Sequence, residues 1–186
     1  MKIAIVIPAH NEAAFLGSTL ESLCNQTKLP SKLVVVNDSS TDDTQKIIET
    51  YSKRFPFILG VHTESGTEHA PGSKVINAFY QGFHELEEGF DIICKFDADL
   101  IFPPNYLELI QQEFAKNSKS GIVGGICVIE ENNQWIPESL TNLDHIRGAL
   151  KAYRKECFKE IGGLKKAMGW DTIDELLAQH LSLIHI

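Results

Sequence analysis

Largely apolar runs constrain the fold of this sequence more than any other feature. Five of them are spaced along the chain, at residues 3–7, 33–36, 57–61, 91–96 and 121–129. A strand that is apolar on both of its sides has to be covered on both faces of its sheet, which is typical of parallel sheets. We therefore predict a buried, mostly parallel β-sheet.

The segments between these runs have the spacing of amphipathic helices. Leu16, Leu20 and Leu23 follow one helical face, and residues 76–83 and 107–114 show comparable spacing. This alternation of strands and helices predicts an α/β fold, a three-layer α/β/α sandwich with right-handed crossovers. Asn11, for the first helix, is a candidate N-cap.

A further helix is predicted at residues 145–161, after the alternating part of the chain and an irregular polar stretch. It carries the only basic zone of the chain, with Arg147, Lys151 and Arg154 at i, i+4 and i+7. The favoured interpretation is a solvated helix face. The alternative is a surface that meets a diphosphate or an anionic membrane.

Charge and cysteine content exclude several classes of protein. The 186 residues include 17 Lys and Arg against 25 Asp and Glu, a net charge of −8 that argues against general nucleic-acid binding. The four cysteines form no Cys-x-x-Cys pair, so a zinc site is unsupported and reduced thiols in a cytoplasmic protein are expected. No apolar run approaches the roughly 20 residues of a membrane span.

Polar side chains follow three of the predicted strands. Residues 8–12 follow the first, Asp38 ends the second, and Asp97-Ala98-Asp99 ends the fourth. Ligands of open α/β sheets bind outside the carboxyl ends of the strands, and neighbouring strands are only about 4.8 Å apart. These groups can converge on one ligand, and two carboxylates at i, i+2 suit Mg²⁺ or Mn²⁺.

Two further groups are candidates for the same site. Lys74, in the Pro-Gly-Ser-Lys stretch of residues 71–74, opens a helix and could bind a phosphate. Late in the chain, Asp171, Asp174 and Glu175 cluster on a helix, and one of them is predicted to be catalytic. Trp170 either stacks on a sugar ring or packs in the core.

The common motifs of other enzyme classes do not occur in this sequence. It has no P-loop, no Gly-x-Gly-x-x-Gly, no Gly-x-Ser-x-Gly and no His-Glu-x-x-His. P-loop NTPases, NAD enzymes, serine hydrolases of the elbow type and zinc hydrolases are therefore poor fits.

Taken in order, these motifs resemble the family 2 glycosyltransferases. The resemblance rests on Ile-Val-Ile-Pro-Ala-His-Asn-Glu at 5–12, Val-Val-Val-Asn-Asp-Ser-Ser-Thr-Asp at 34–42 and Phe-Asp-Ala-Asp at 96–99. Residues 71–74 and Ile-Gly-Gly at 161–163 also match. The resemblance implies the GT-A fold and transfer of a sugar from a nucleotide-sugar, with inversion and with the help of Mn²⁺ or Mg²⁺.

The resemblance also implies roles for individual residues. Asp99 would hold the metal, and Asp174 would be the catalytic base, with Glu175 and Asp171 in reserve. Nucleotide-sugar binding would fall to a longer set of residues: Pro8, Ala9, His10, Asn11, Glu12, Asp38, Lys74, Asp97 and Ala98. A UDP-sugar is the first candidate donor, and a saccharide or a lipid-linked molecule the acceptor.

One domain, 1–186, is expected, with a nucleotide-binding half at 1–100 and an incomplete acceptor-side half at 101–186. The chain ends soon after the late acidic motif, where family members usually continue, which points to a truncated form. A cytoplasmic location would suit this function. A peripheral location at the inner face of the membrane is the alternative. The alternatives are a non-catalytic nucleotide-sugar binding module, an inactive truncated form and, less favoured, a nucleotidyltransferase.

Overall fold

The structure is a computed structural model that describes residues 1–63, 73–138, 145–181 and 183–185. The strands in these ranges are β1 (Ile3–Ala9), β2 (Lys32–Asp38), β3 (Ile58–Thr63), β4 (Ile92–Phe96), β5 (Ser120–Val123), β6 (Val128–Glu131), β7 (Gln134–Pro137), β8 (Leu150–Arg154) and β9 (Ile184–His185). The helices are α1 (Leu16–Cys24), α2 (Thr44–Arg54), α3 (Ser73–His84), α4 (Tyr106–Lys116), α5 (Lys155–Glu160) and α6 (Trp170–His180).

Seven strands form one sheet in the order β3-β2-β1-β4-β8-β5-β9. The pairs are parallel except for those of β8, which runs antiparallel to both β4 and β5. The prediction of a mostly parallel sheet is therefore confirmed. Strands β6 and β7 pair with each other as a separate hairpin.

Side chains that alternate along the strands build two cores, one on each face of the sheet. Ile5 and Ile7 of β1 belong to the core beneath α1, α2 and α4. Ala4 and Val6 belong to the core beneath α3, α5 and α6. Since both faces are covered, the uninterrupted apolar runs are explained, and the three-layer sandwich is confirmed.

The fifth predicted strand is shorter than residues 121–129. β5 ends at Val123, and the chain then leaves the sheet through Gly124 and enters the hairpin at Val128. A Cβ atom on Gly124 would lie 2.2 Å from a methyl carbon of Ile146, so this close crossing needs glycine. The apolar pattern therefore spans two different strands.

The predicted helix at 145–161 is wrong in its first half, which contains β8. Lys151 is fully buried, so the solvated helix face is wrong as well. Arg154 donates to the backbone carbonyls of Phe114, Asn117 and Ser120. Burial on both faces of the sheet decided this segment, and the local i, i+4, i+7 spacing was coincidental.

The N-cap prediction for Asn11 also differs from the structure. α1 begins five residues later, at Leu16, without a side-chain cap. Asn11 has a φ of 57°, and its Oδ1 accepts a hydrogen bond from the amide of Thr41 at 2.8 Å. The Asn11 side chain therefore ties the loop after β1 to the loop after β2.

Candidate active site

The carboxyl ends of β1, β2 and β4 surround a cleft of about 370 Å³. Nine residues that line it come from the three predicted motifs and the start of α3: Pro8, Ala9, His10, Glu12, Asp38, Lys74, Asp97, Ala98 and Asp99. Val75 and Ala78 complete the lining. Of the predicted nucleotide-sugar residues, Asn11 is the one that does not line this cleft, and Pro71 and Gly72 lie outside the described residues.

Hydrogen bonds hold the first two loops of the cleft together. The Nδ1 atom of His10 donates to the carbonyl oxygen of Asp38 at 2.5 Å. The amide of Glu12 donates to the hydroxyl oxygen of Thr44 at 2.8 Å. Ser39 has a φ of 56°, which turns the chain sharply at the end of β2. These side-chain-to-backbone contacts and this turn together fix the two loops beside the cleft.

Asp38 is nearly buried, with 7% of its surface exposed. One of its carboxylate oxygens accepts a hydrogen bond from the hydroxyl of Thr63 at 3.5 Å, the outer limit of such a bond. The rest of its hydrogen-bonding capacity can serve a donor group that enters the cleft.

We expect Asp38→Ala to weaken the binding of nucleoside diphosphates by roughly 1.5–3 kcal/mol, because it removes a charge-assisted hydrogen bond. Calorimetry without added metal measures this contribution apart from any cation. Asp43→Ala, at an exposed position before α2, is the matched control and should leave the affinity unchanged. If the wild type, Asp38→Ala and Asp43→Ala bound the nucleoside diphosphate equally well, Asp38 would have no role in binding.

Carboxylates concentrate negative charge in the cleft. The pKa of Glu12 is raised, first by its burial and then by the nearby carboxylates of Asp99, Asp97 and Asp42. Oxygen ligands of this kind suit a hard divalent cation, whose charge would relieve the repulsion. Within the part of the chain that the structure describes, no cluster of three His, Cys, Asp or Glu residues could hold a metal alone. A cation would therefore need oxygens from a diphosphate or water as well.

Lys95 is a residue of this site that the sequence analysis missed. It is the last residue but one of β4, is 2% exposed, and pairs with Asp97. Its ammonium nitrogen also lies 5.2 Å from the ring centroid of Trp170. A lysine inside an apolar strand, two residues before an Asp-x-Asp, is a signal that could have identified it.

A second cleft, of about 270 Å³, opens beside the first. Its lining includes Asp97 and Val75, which both clefts share, and also Arg147, Trp170 and Asp171. The side chain of Asp171 is 31% exposed. The first turn of α6 thus faces the first cleft across Asp97. Trp170 is 8% exposed and belongs to the core, while its ring also lines this cleft.

The other two late carboxylates lie behind this surface. Asp174 is fully buried and is held by Lys151 at 2.7 Å and by the hydroxyl of Tyr153 at 2.5 Å. Its pKa is raised, chiefly because burial disfavours the charge. Glu175 is 5% exposed and lies 2.9 Å from the same lysine nitrogen. Asp174 and Glu175 are thus enclosed in the interior, whereas Asp171 lies at the surface of the second cleft.

A mostly parallel sheet covered by helices on both faces, with a cleft at the carboxyl ends of its strands, defines the GT-A fold class, which the similar solved structures share. A family model described as glycosyl transferase family 2 matches residues 4–166. The chain belongs to this family.

Curated relatives match over different shares of the chain. A probable glycosyltransferase, YdaM, of Bacillus subtilis is 35% identical over 100 residues, which are 53% of this chain and 23% of that protein. An undecaprenyl-phosphate 4-deoxy-4-formamido-L-arabinose transferase of Pseudomonas savastanoi is 30% identical over 183 residues, 95% of this chain and 50% of that protein. The chain thus spans half or less of the length of these relatives.

Solved structures of low sequence identity share the fold. The mannosyltransferase PcManGT of Pyrobaculum calidifontis, in complex with GDP-Man and Mn²⁺, has a TM-score of 0.75 at 17% identity, over 100% of this chain and 54% of that one. TarS 1–349 of S. aureus in complex with UDP-GlcNAc has a TM-score of 0.69 at 20% identity, over 95% of this chain and 54% of that one.

Among the described residues, no helix has the length and apolar character to cross a bilayer.

Proposed function

We propose that this chain transfers a sugar from a nucleotide-sugar to an acceptor hydroxyl group, with inversion at the sugar carbon. The observation that carries the proposal is the junction of two clefts at Asp97. One cleft offers groups suited to a nucleotide, and the other exposes the carboxylate of Asp171. The donor and the acceptor can then meet on opposite sides of the reacting carbon.

The first cleft would bind the donor. Asp38 is placed to accept hydrogen bonds from the base or the ribose, and Lys74 to approach a phosphate. Nucleotide-sugars named with the similar structures, GDP-Man and UDP-GlcNAc, support this class of donor. We take a UDP-sugar as the first candidate.

Asp99 would hold a divalent cation, with Asp97 and Glu12 close by. When bound, Mn²⁺ or Mg²⁺ would neutralise the charge that develops on the departing diphosphate. Lys95 keeps Asp97 in place from beneath the cleft through their ion pair.

Asp171 would act as the general base. It would take the proton of the acceptor hydroxyl as the oxygen attacks the sugar carbon, which requires an approach to about 3 Å. Trp170 and Arg147 beside it are suited to a saccharide acceptor or to the saccharide of a lipid-linked one. An aromatic ring gives apolar contact area, and a guanidinium gives hydrogen-bond donors.

A thermal-shift experiment tests donor and cation binding together. A nucleoside diphosphate with Mn²⁺, at a hundredfold excess over its Kd, should raise the free energy of unfolding by about 2.7 kcal/mol. The shift should be much smaller in EDTA, because Asp99 would hold the cation whose charge favours the bound diphosphate.

Asp99→Asn should remove the part of the shift that depends on Mn²⁺, whereas Asp43→Asn, at an exposed position before α2, should keep it. Equal shifts with Mn²⁺ and with EDTA would contradict the cation site. No shift for any nucleoside diphosphate would contradict the proposed function. A shift without sugar transfer, in an assay of donors and acceptors, would favour the non-catalytic binding module.

A further inference from the structure

His145 and Glu175 form a polar pair behind Asp171, and this pair has no part in the chemistry described so far. His145 lies between Asp171 and Glu175, and its side chain is 19% exposed. Its Nδ1 atom lies 2.9 Å from one carboxylate oxygen of Glu175. Its Nε2 atom lies 3.5 Å from a carboxylate oxygen of Asp171. The imidazole therefore connects a buried carboxylate to the exposed one.

The orientation of Glu175 is fixed by other contacts. Its second oxygen accepts a hydrogen bond from the amide of Ile146 at 3.0 Å and lies 2.9 Å from the ammonium nitrogen of Lys151. Lys151 is itself fully buried and contacts the backbone carbonyl of Asp171 and the carboxylate of Asp174. With one oxygen occupied by these two donors, the other carboxylate oxygen of Glu175 is left to accept a hydrogen bond from His145.

The tautomer of His145 follows from this contact. Since Glu175 accepts, the Nδ1 atom of His145 has to carry a proton, as ring partners generally determine the tautomer. In the neutral ring, Nε2 is then left with its lone pair directed towards Asp171. An acceptor in this position is suited to a proton that Asp171 has just received.

We infer that His145, held as the Nδ1–H tautomer by Glu175, receives the proton that Asp171 takes from the acceptor. This inference rests on the proposed function. The acceptor oxygen forms a bond to the sugar carbon, and the bond from that carbon to the diphosphate breaks with its electron pair on the diphosphate. The proton of the acceptor passes to Asp171. The new O–H of Asp171 donates to Nε2, and the proton then moves onto His145, from which water removes it.

A double-mutant cycle tests the dependence on Asp171. His145→Gln should lower kcat by roughly 10–100-fold, the scale for loss of a supporting hydrogen-bonded residue. The KM for the donor should stay within about twofold, since the donor cleft is not lined by His145. In an Asp171→Asn background the same substitution should cost less than about twofold, because its partner is already lost.

His84→Gln, at an exposed histidine of α3, is the control and should leave both kinetic constants unchanged. A loss from His145→Gln that is the same in both backgrounds would overturn the inference, because it would indicate a general structural role. No loss in the wild-type background would overturn it as well.

Nitrogen-15 NMR of the histidine rings of the whole chain gives a readout that needs no turnover. The signals of His145 are identified by their absence in His145→Gln, and the exposed His84 provides the reference. The neutral ring of His145 should carry its proton on Nδ1, and Glu175→Ala should abolish that preference. A proton on Nε2 in the wild-type protein would overturn the inference. Absence of sugar transfer with an Nδ1 proton present would instead contradict the proposed function.

Discussion

Asp171→Asn should lower kcat by roughly 10²–10⁴-fold, the usual scale for loss of a general base. The affinity for a nucleoside diphosphate should change by less than about twofold, because Asp171 lines the second cleft and not the first. The substitution keeps the shape of the side chain and removes its basicity. Release of nucleoside diphosphate from a nucleotide-sugar, with saturating acceptor, measures kcat, and calorimetry measures the affinity.

Asp174→Asn is the matched control, since it makes the same change one helical turn further along α6. Asp174 is fully buried against Lys151 and Tyr153, so its substitution should act on the melting temperature and leave the turnover of the folded protein largely intact. The opposite result, an inactive but folded Asp174→Asn and an active Asp171→Asn, would return the role of base to Asp174. Normal turnover of both variants would place the base outside α6.

The sequence was sufficient to predict the central sheet and the edge that carries the first cleft. Runs such as Val34-Val35-Val36 are apolar on both sides, and a polar residue follows each of three strands at its carboxyl end. Because that end of a parallel sheet is a shared edge, Asp38, Asp97 and Asp99 had to lie close together. The position of the cleft at this edge therefore follows from the topology of the sheet.

β8 could not be predicted from local pattern. On the side of β8 that faces the core beneath α1, α2 and α4, the apolar residues are Leu150 and Ala152. The other side carries Lys151, and lysine is a residue type that usually lies at a protein surface. What makes this segment a strand is pairing with β4 and β5, which are distant in sequence. Non-local pairing of this kind leaves no period in the sequence.

The positions of the late carboxylates could not be predicted for a related reason. Asp171 and Asp174 lie three residues apart and share a side of α6, so spacing alone cannot show which of them reaches the cleft. The structure distinguishes the two residues, because Lys151 holds Asp174 in the interior through an ion pair. Since β8 was predicted as a helix, that partner was not available to the sequence argument.

Lys151→Met should destabilise the protein by about 3–5 kcal/mol, because it leaves Asp174 and Glu175 as buried carboxylates without their cation. This is a large part of the roughly 5–15 kcal/mol that separates the folded from the unfolded state of a typical domain. Urea unfolding measures the change. Lys119→Met, at an exposed position between α4 and β5, is the control and should stay within about 0.5 kcal/mol of the wild type.

The dependence of this loss on pH distinguishes unpaired charge from lost packing. Burial already raises the pKa of Asp174, and removal of Lys151 should raise it further. A carboxyl group whose pKa is higher in the folded state favours folding below its unfolded pKa, and this contribution is lost as the pH rises through the folded pKa. The destabilisation by Lys151→Met should therefore be smaller at about pH 5 than at about pH 8.

Adding Asp174→Asn to Lys151→Met should recover part of the stability at the higher pH, since it removes one of the buried charges that have lost their partner. A loss that is the same at both pH values and is not relieved by Asp174→Asn would mean that Lys151 contributes through the packing of its methylene groups, and not as the counter-ion that holds α6 against β8.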